Sequence, residues 1–520
     1  METLYDNGKI YLRPGQFASA LWVRDGLIVR VGGPELRQEA AGVPVVDLRG
    51  ATVVPGFNDS HLHLLDTGRY LTQVDLFDAK SPAEMARRCR KFLDAHPLPA
   101  GKALIGNGWN QDLFEEPAMP TRADLDAAVP ERPVILNRVC GHILMCNTAA
   151  LEAAGITAQT PEPPGGSIDW QRGILGDNAI ALLDALQPVD TVEDCKAAYR
   201  AALGKAAACG ITTAQSCDPR AADWPTVMEA VRQLGEADEL PLRLHLQCSL
   251  DTPEHFGEFL RRYAPRKGGR YWRVGALKLF ADGSLGSRTA LLDVPYADDP
   301  DAKGLACLDW ETAPAMVELA NRNGLPVVVH AIGDGAIRQV LDLFGEGDNP
   351  CRNGIVHCQI TTPALWQRFL RGHILALVQP IFIDYDHTIA AARCGEALAA
   401  TSYAFGTAAR MGVPVSFGTD APVERFDPFP NLYTAITRCP VGGGQPWHPE
   451  ECVSRETALD LYTAGSAYAE GEEHRKGRLL PGYLADFAVL DRDYFTVPVS
   501  EIPHIQVTRT VMDGREVYVR

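Results

Sequence analysis

Two histidines stand two residues apart, His61 and His63 in DSHLHLL, where an apolar run near the start of the chain gives out. In an extended strand, residues i and i+2 point to the same side. Both imidazoles therefore face one point, as a natural pair of metal ligands does. A lone HxH among 13 histidines would carry little weight. Three more metal-competent residues, however, end apolar runs in the same way: His330 in VVVHA, His357 in GIVHC and Asp420 in PVSFGTD. One histidine ending a strand is most often structural. Three such residues are harder to attribute to packing, because an unsatisfied buried polar group costs about 1–3 kcal/mol.

Lys278, in GALKLFADGSLGSRTA, lies within a run that reads as a buried strand, where a bare ammonium is expensive. One reading pairs it with a carboxylate or lets it snorkel from the strand end. The other makes it an amine of depressed pKa that reacts with CO2 and bridges two metal ions as a carbamate. Beside four histidines and an aspartate the second reading is preferred. The expected cofactor is one or two divalent ions, most simply Zn. Such an ion lowers the pKa of bound water from about 15.7 toward about 7. Asp420 would serve as general base and then acid. The competing role for Asp420 is a helix N-cap, since Ala421 and Pro422 follow.

Around this set stand candidates of weaker signal. Asp59 is placed to orient a ligating histidine. His142, in RVCGHILMCN, ends a strand and is expected to reach the substrate carbonyl. Arg288, in the loop after Lys278, is a candidate for an anionic substrate group, and Trp109 with Phe114 for an apolar pocket.

Residues from distant parts of the chain must be brought to one face, and the elements that do this are legible. Eight short apolar runs alternate with helical stretches: ATVVPGF (51–57), ITTAQS (211–216), LRLHLQ (242–247), VGALKLF (274–280), LPVVVHA (325–331), GIVHC (354–358), ILALVQP (374–380) and PVSFGTD (414–420). Strand–helix alternation predicts an α/β fold, a (β/α)8 barrel, whose active site gathers at the C-terminal strand ends. Both termini instead show Asp-Gly turns between apolar runs, at 25–26 and 513–514, the sign of hairpins. They predict a small β-domain from residues 1–50 plus 476–520. The barrel then spans 51–475. The interval at about 66–185 is too long for one connection and reads as an inserted α/β subdomain.

Composition sets outer bounds. The 520 residues carry 49 Lys and Arg against 66 Asp and Glu, a formal charge of −17, which argues against nucleic acid and anionic membranes as partners. Thirteen cysteines without a CxxC pair suggest reduced thiols in a cytoplasmic setting. No stretch of 18 uncharged apolar residues occurs to span a membrane, and the first residues lack the basic and apolar regions of a signal peptide.

The order HxH, Lys, His, His, Asp between β-rich termini resembles the amidohydrolase superfamily, and the resemblance implies its fold, a distorted (β/α)8 TIM barrel with a small β-sandwich domain formed by both termini. PGFNDSHLH, LKLFADGSLGSRTALL, VVVHAIGDGAI, VSFGTDAPVERFDPFPNLYTAIT and KGRLLPGYLADFAVLD resemble its amidohydrolase-3 branch, which includes YtcJ-like proteins and N-substituted formamide deformylases. The resemblance implies that His61, His63 and Asp420 hold one metal and His330 and His357 the other. Lys278 bridges them as a carboxylated lysine. It implies hydrolysis of an N-acyl or N-formyl amine, a small-molecule substrate, by metal-activated hydroxide, and by family habit a homodimer. Cyclic-amide hydrolysis uses the same metals and stays open. Deamination is weaker, because Ala331, Ile332 and Gly333 follow His330 where deaminases carry HxxE. A non-catalytic scaffold is disfavoured by six intact ligand positions.

Overall fold

The computed structural model describes residues 2–99, 101–116, 119–138, 143–186, 190–263 and 268–520. The apolar runs form eight parallel strands: β1 (Phe57–Leu62), β2 (Ile211–Ser216), β3 (Arg243–Cys248), β4 (Trp272–Phe280), β5 (Val327–Ala331), β6 (Gly354–His357), β7 (Leu375–Val378) and β8 (Val415–Phe417). They neighbour one another in chain order. Parallel strands need crossover connections, usually helices, and burial on both faces makes them near-continuous apolar runs. Crossover helices Pro253–Arg262 and Pro363–Arg371 start alike. Thr252 and Thr362 each accept the amide N–H three residues on, and proline fills the first helical turn, where its missing N–H costs nothing.

The barrel closes irregularly. β8 has only three residues and, among the described residues, pairs with β7 alone. Past its end, the Asp420 N–H donates to the His61 carbonyl at 2.8 Å and the His63 N–H donates to the Ala421 carbonyl at 2.7 Å. The bonds that close the barrel thus set Asp420 beside the two histidines. Gly418 permits this approach: a Cβ there would lie 2.7 Å from the His61 nitrogen and 2.8 Å from Oδ1 of Asp59. Neither neighbour can yield, so Gly418→Ala is expected to destabilise the protein by about 1–3 kcal/mol or more, as overpacking does. Urea unfolding of the metal-free protein measures it.

ATVVPGF does not form one strand. Thr52–Pro55 pairs with Phe487–Leu490 and Lys9–Ile10, and the barrel strand starts only at Phe57. The switch falls at Gly56, where a Cβ would meet Oγ1 of Thr212 at 2.2 Å. Thr52–Pro55 sits in a six-stranded sheet ordered Arg515–Val519, Val507–Met512, Phe487–Leu490, Thr52–Pro55, Lys9–Arg13, Gln16–Ala18. A four-stranded sheet of Leu27–Gly32, Ala20–Arg24, Glu2–Asp6 and Val45–Asp47 supplies the other layer. Tyr5, Leu21, Val23 and Ile28 of the smaller sheet share one core with Ile10, Val53, Phe487 and Val511 of the larger.

The chain divides into two compact units, Met1–Leu64 with Leu203–Arg520, and Leu65–Ala202. The second has its own six-stranded sheet, in the order Gly166–Asp169, Ile174–Asp177, Ile143–Cys146, Val134–Arg138, Leu104–Trp109, Val74–Asp75. Its core includes Met85, Leu104, Trp109, Val134 and Met145.

Candidate metal centre

Six polar side chains stand at or beyond the C-terminal ends of β1, β4, β5, β6 and β8. His61 and His63 extend from β1 and aim their Nε2 atoms at one oxygen, Oδ1 of Asp420, at 3.4 and 3.3 Å. Ligand atoms of these three residues all lie within 4.8 Å of one another, a spacing that could hold a metal ion. The other rings continue the cluster: His61 to His357 is 5.7 Å between centroids, and His357 to His330 is 4.5 Å. Two of these residues occupy left-handed backbone, Asp420 at φ +58° and His357 at φ +80°. This conformation is uncommon outside glycine and turns each side chain sharply off its strand. Strain of this kind clusters at functional sites.

Each imidazole has one nitrogen engaged by an oxygen that can only accept. Nδ1 of His61 donates to Oε1 of Gln247 at 2.7 Å, and Nδ1 of His357 to Oε1 of Gln379 at 2.9 Å. Nδ1 of His63 donates to the Cys217 carbonyl at 3.1 Å, and Nε2 of His330 to the Gly283 carbonyl at 3.0 Å. A proton on the anchored nitrogen leaves a lone pair on the other. Burial and the nearby Lys278 ammonium hold His61 well below the usual imidazole range. His357 is lowered likewise, first by burial and then by His330. Burial alone would raise the Asp420 carboxyl, yet the close approach of the His63 ring and the neighbouring His357 and His61 rings hold it below the usual carboxylate range.

Lys278 lies deeper in β4, 1% exposed, and its Nζ has no hydrogen-bond partner among the described residues. The amine sits 3.7 Å from the Phe280 ring centroid, and burial pushes its pKa down to about 8. A buried amine without an acceptor, beside imidazole nitrogens and a carboxylate, makes a set of N and O donors turned to one place. These residues fit divalent metal.

The other sequence candidates fare differently. Asp59 is fully buried but does not touch the His61 ring, which Gln247 holds. It accepts instead from Thr419 Oγ1 at 2.6 Å, Tyr462 Oη at 3.0 Å, the Thr419 N–H at 3.1 Å and the His61 N–H at 3.3 Å. It therefore pins the backbone of β1 to the segment bearing Asp420. Burial raises its carboxyl to about 7 against the pull of these donors. Asp59→Ala would strand several buried donors at about 1–3 kcal/mol each. A loss of at least about 3 kcal/mol in unfolding free energy is expected, read by urea titration of metal-free protein.

Trp109, expected at the substrate, has no accessible surface, and its Nε1–H donates to the Leu136 carbonyl at 3.0 Å. Its size and its one donor are both satisfied within the core of the Leu65–Ala202 unit. Phe114 packs in the same core. The Arg288 guanidinium is engaged by Asp298 at 2.9 and 3.0 Å. His142 lies outside the described residues.

Sequence reasoning missed Gln247, Gln379 and Asp282. The buried Asp282 carboxylate accepts from the N–H groups of Leu291, Ile332 and Gly333, and so ties the loops after β4 and β5 together. A signal for the glutamines was present: LRLHLQ and ILALVQP place them at strand ends, the positions that carry histidine or aspartate elsewhere in the barrel.

Comparison with known proteins gives a consistent result. The sequence pattern of the amidohydrolase family (Amidohydro_3) matches residues 44–518. A Bacillus subtilis protein carrying an amidohydrolase name, YtcJ, is 34% identical over 100% of this chain and 99% of its own. The N-substituted formamide deformylase of Arthrobacter pascens is 27% identical over 96% of this chain and 94% of its own. Among solved structures, an uncharacterized metal-dependent hydrolase from Pyrococcus horikoshii superposes with a TM-score of 0.81. It is 30% identical and covers 96% of this chain and 99% of that one.

Proposed function

The chain belongs to the amidohydrolase family, metal-dependent hydrolases of carbon–nitrogen bonds, and from that premise we propose that it cleaves the amide bond of an N-acyl or N-formyl amine. The observation that carries this reading is the convergence of four singly anchored imidazoles, the Asp420 carboxylate and the unpartnered Lys278 amine. The A. pascens relative named as a deformylase supports the choice of substrate class.

On this reading His61, His63 and Asp420 would hold one divalent ion, His330 and His357 would hold a second, and Lys278, if carboxylated on Nζ, would serve both. Zn is the simplest choice for such N and O donors. Bound there, the ions would supply Lewis acidity, enough to lower the pKa of water to about 7 and to polarise a carbonyl. The chain's own residues do the rest. Oδ1 of Asp420 faces the two Nε2 atoms of β1, which leaves Oδ2 to take a proton from the attacking water. The same carboxyl then returns that proton to the departing nitrogen, so that the amine leaves neutral. The anchored imidazoles keep their one ring proton on the nitrogen that faces the protein, which aims the other nitrogen inward.

The test is metal analysis of protein purified without chelators, followed by a panel of N-formyl and N-acyl amines assayed for released amine. About two ions per chain and turnover of an acyclic amide are expected. Turnover confined to cyclic amides or to ring aminohydrolysis would overturn the substrate assignment, and absence of bound metal after incubation with zinc and bicarbonate would overturn the mechanism.

A further inference from the structure

We propose that Gln247 and Gln379 are positioning residues, each fixing the tautomer of one histidine and serving a different one of the two cations. The inference rests on the dinuclear reading above and extends it to residues outside the ligand set.

Both side chains are 1% exposed, so neither amide solvates the surface or awaits substrate. The two stand at equivalent places, Gln247 near the end of β3 and Gln379 just past the end of β7. Gln247 reaches past β2 to the His61 ring on β1, and Gln379 reaches the His357 ring on the adjacent β6. The orientation of each amide is set by its other end. Nε2 of Gln247 donates to the Ser60 carbonyl at 3.0 Å, and Nε2 of Gln379 to the Leu377 carbonyl at 3.3 Å. With the NH2 groups so committed, the carbonyl oxygens must face the rings, and a carbonyl oxygen only accepts. Each ring is therefore held as the Nδ1–H tautomer, with the Nε2 lone pair turned inward.

The remaining imidazoles, His63 and His330, are anchored by backbone carbonyls. Each proposed cation thus has one imidazole held by the main chain and one held by a glutamine. The glutamines are the points at which the two halves of the centre can be perturbed separately.

The experiment compares wild-type protein with Q247M, Q247E, Q379M and Q379E. Metal is stripped, and the proteins are titrated with Zn2+ in bicarbonate buffer against a chromophoric chelator. Methionine keeps the bulk but cannot accept the ring proton, whereas glutamate restores an acceptor. Each Met variant is expected to weaken one of two binding steps by about 10–100-fold, the usual effect of removing such a support, and to leave the other step unchanged. Each Glu variant should recover most of the loss. Combined with His63→Ala, Q247M should add little at the shared cation, while Q379M should add its full effect. In metal-free protein, 15N shifts of the imidazoles should show the Nδ1–H form at His61 and His357, lost at the matching site of each Met variant. This holds even where a variant's metal uptake is confounded by stability.

Wild-type binding of both ions by a Met variant would overturn the proposal, as would equal losses in the Met and Glu variants. Uptake of a single ion by wild-type protein would overturn the dinuclear reading instead, and the imidazole shifts would still decide the tautomers.

Discussion

Replacing Asp420 by alanine is expected to lower kcat at least about a thousandfold, about 4 kcal/mol of lost transition-state stabilisation, in protein that remains folded. The carboxylate is placed for two tasks: Oδ1 faces His61 and His63 within 3.4 Å, and the other oxygen is left to carry a proton. Closure of the barrel uses the Asp420 backbone N–H and not its side chain, so the architecture has no need of the carboxylate. One complication is the backbone at φ +58°, which disfavours alanine by about 1–2 kcal/mol. Asn tolerates that conformation, so Asp420→Asn separates strain from chemistry. Both variants should retain the wild-type circular dichroism spectrum and lose turnover together. Near-normal turnover in either would remove Asp420 from the reaction.

Lys278→Ala should give the largest change in metal content. If Nζ carries a carbamate, the variant loses two bridging oxygens at once, and uptake should fall from about two ions per chain to one or fewer. Millimolar acetate or propionate should restore part of both metal content and activity, because a free carboxylate can enter the space left by the deleted side chain. The side chain is buried, and its amine has no partner among the described residues. Deleting it therefore breaks no hydrogen bond, and the fold should survive. Full metal loading without rescue would mean that the amine acts as a lone lysine and that the bridge does not exist.

The asymmetry between what could be read and what could not has a physical basis. Strand ends are legible because an apolar run has to stop, and the residue type at the stop shows through; β2 runs from 211 to 216 just as ITTAQS suggests. The terminal hairpins were marked by Asp-Gly turns for the same local reason. Thr52–Pro55 reads in sequence as part of a barrel strand because an apolar run carries no mark of which sheet it joins. Only its pairing with Phe487–Leu490 decided that. Trp109 shows the same limit, since a large aromatic fits a pocket or a core equally well in one dimension.

What the sequence by itself determined is the chemical inventory and its order along the chain: HxH, Lys, His, His and Asp, the lysine within an apolar run and the others where one gives out. Residue type decides which atoms can bind a metal or carry a proton, and strand periodicity decides which side they face. The tertiary structure decided everything that depends on atoms distant in sequence. Gln247 meets His61 across 186 residues, Asp59 meets Thr419 across 360, and two imidazoles are held by main-chain carbonyls. A backbone carbonyl has no residue type to read, and an amide at a strand end has many possible partners until folding selects one. The choice of which nitrogen of each histidine remains open to a cation was therefore made by the fold.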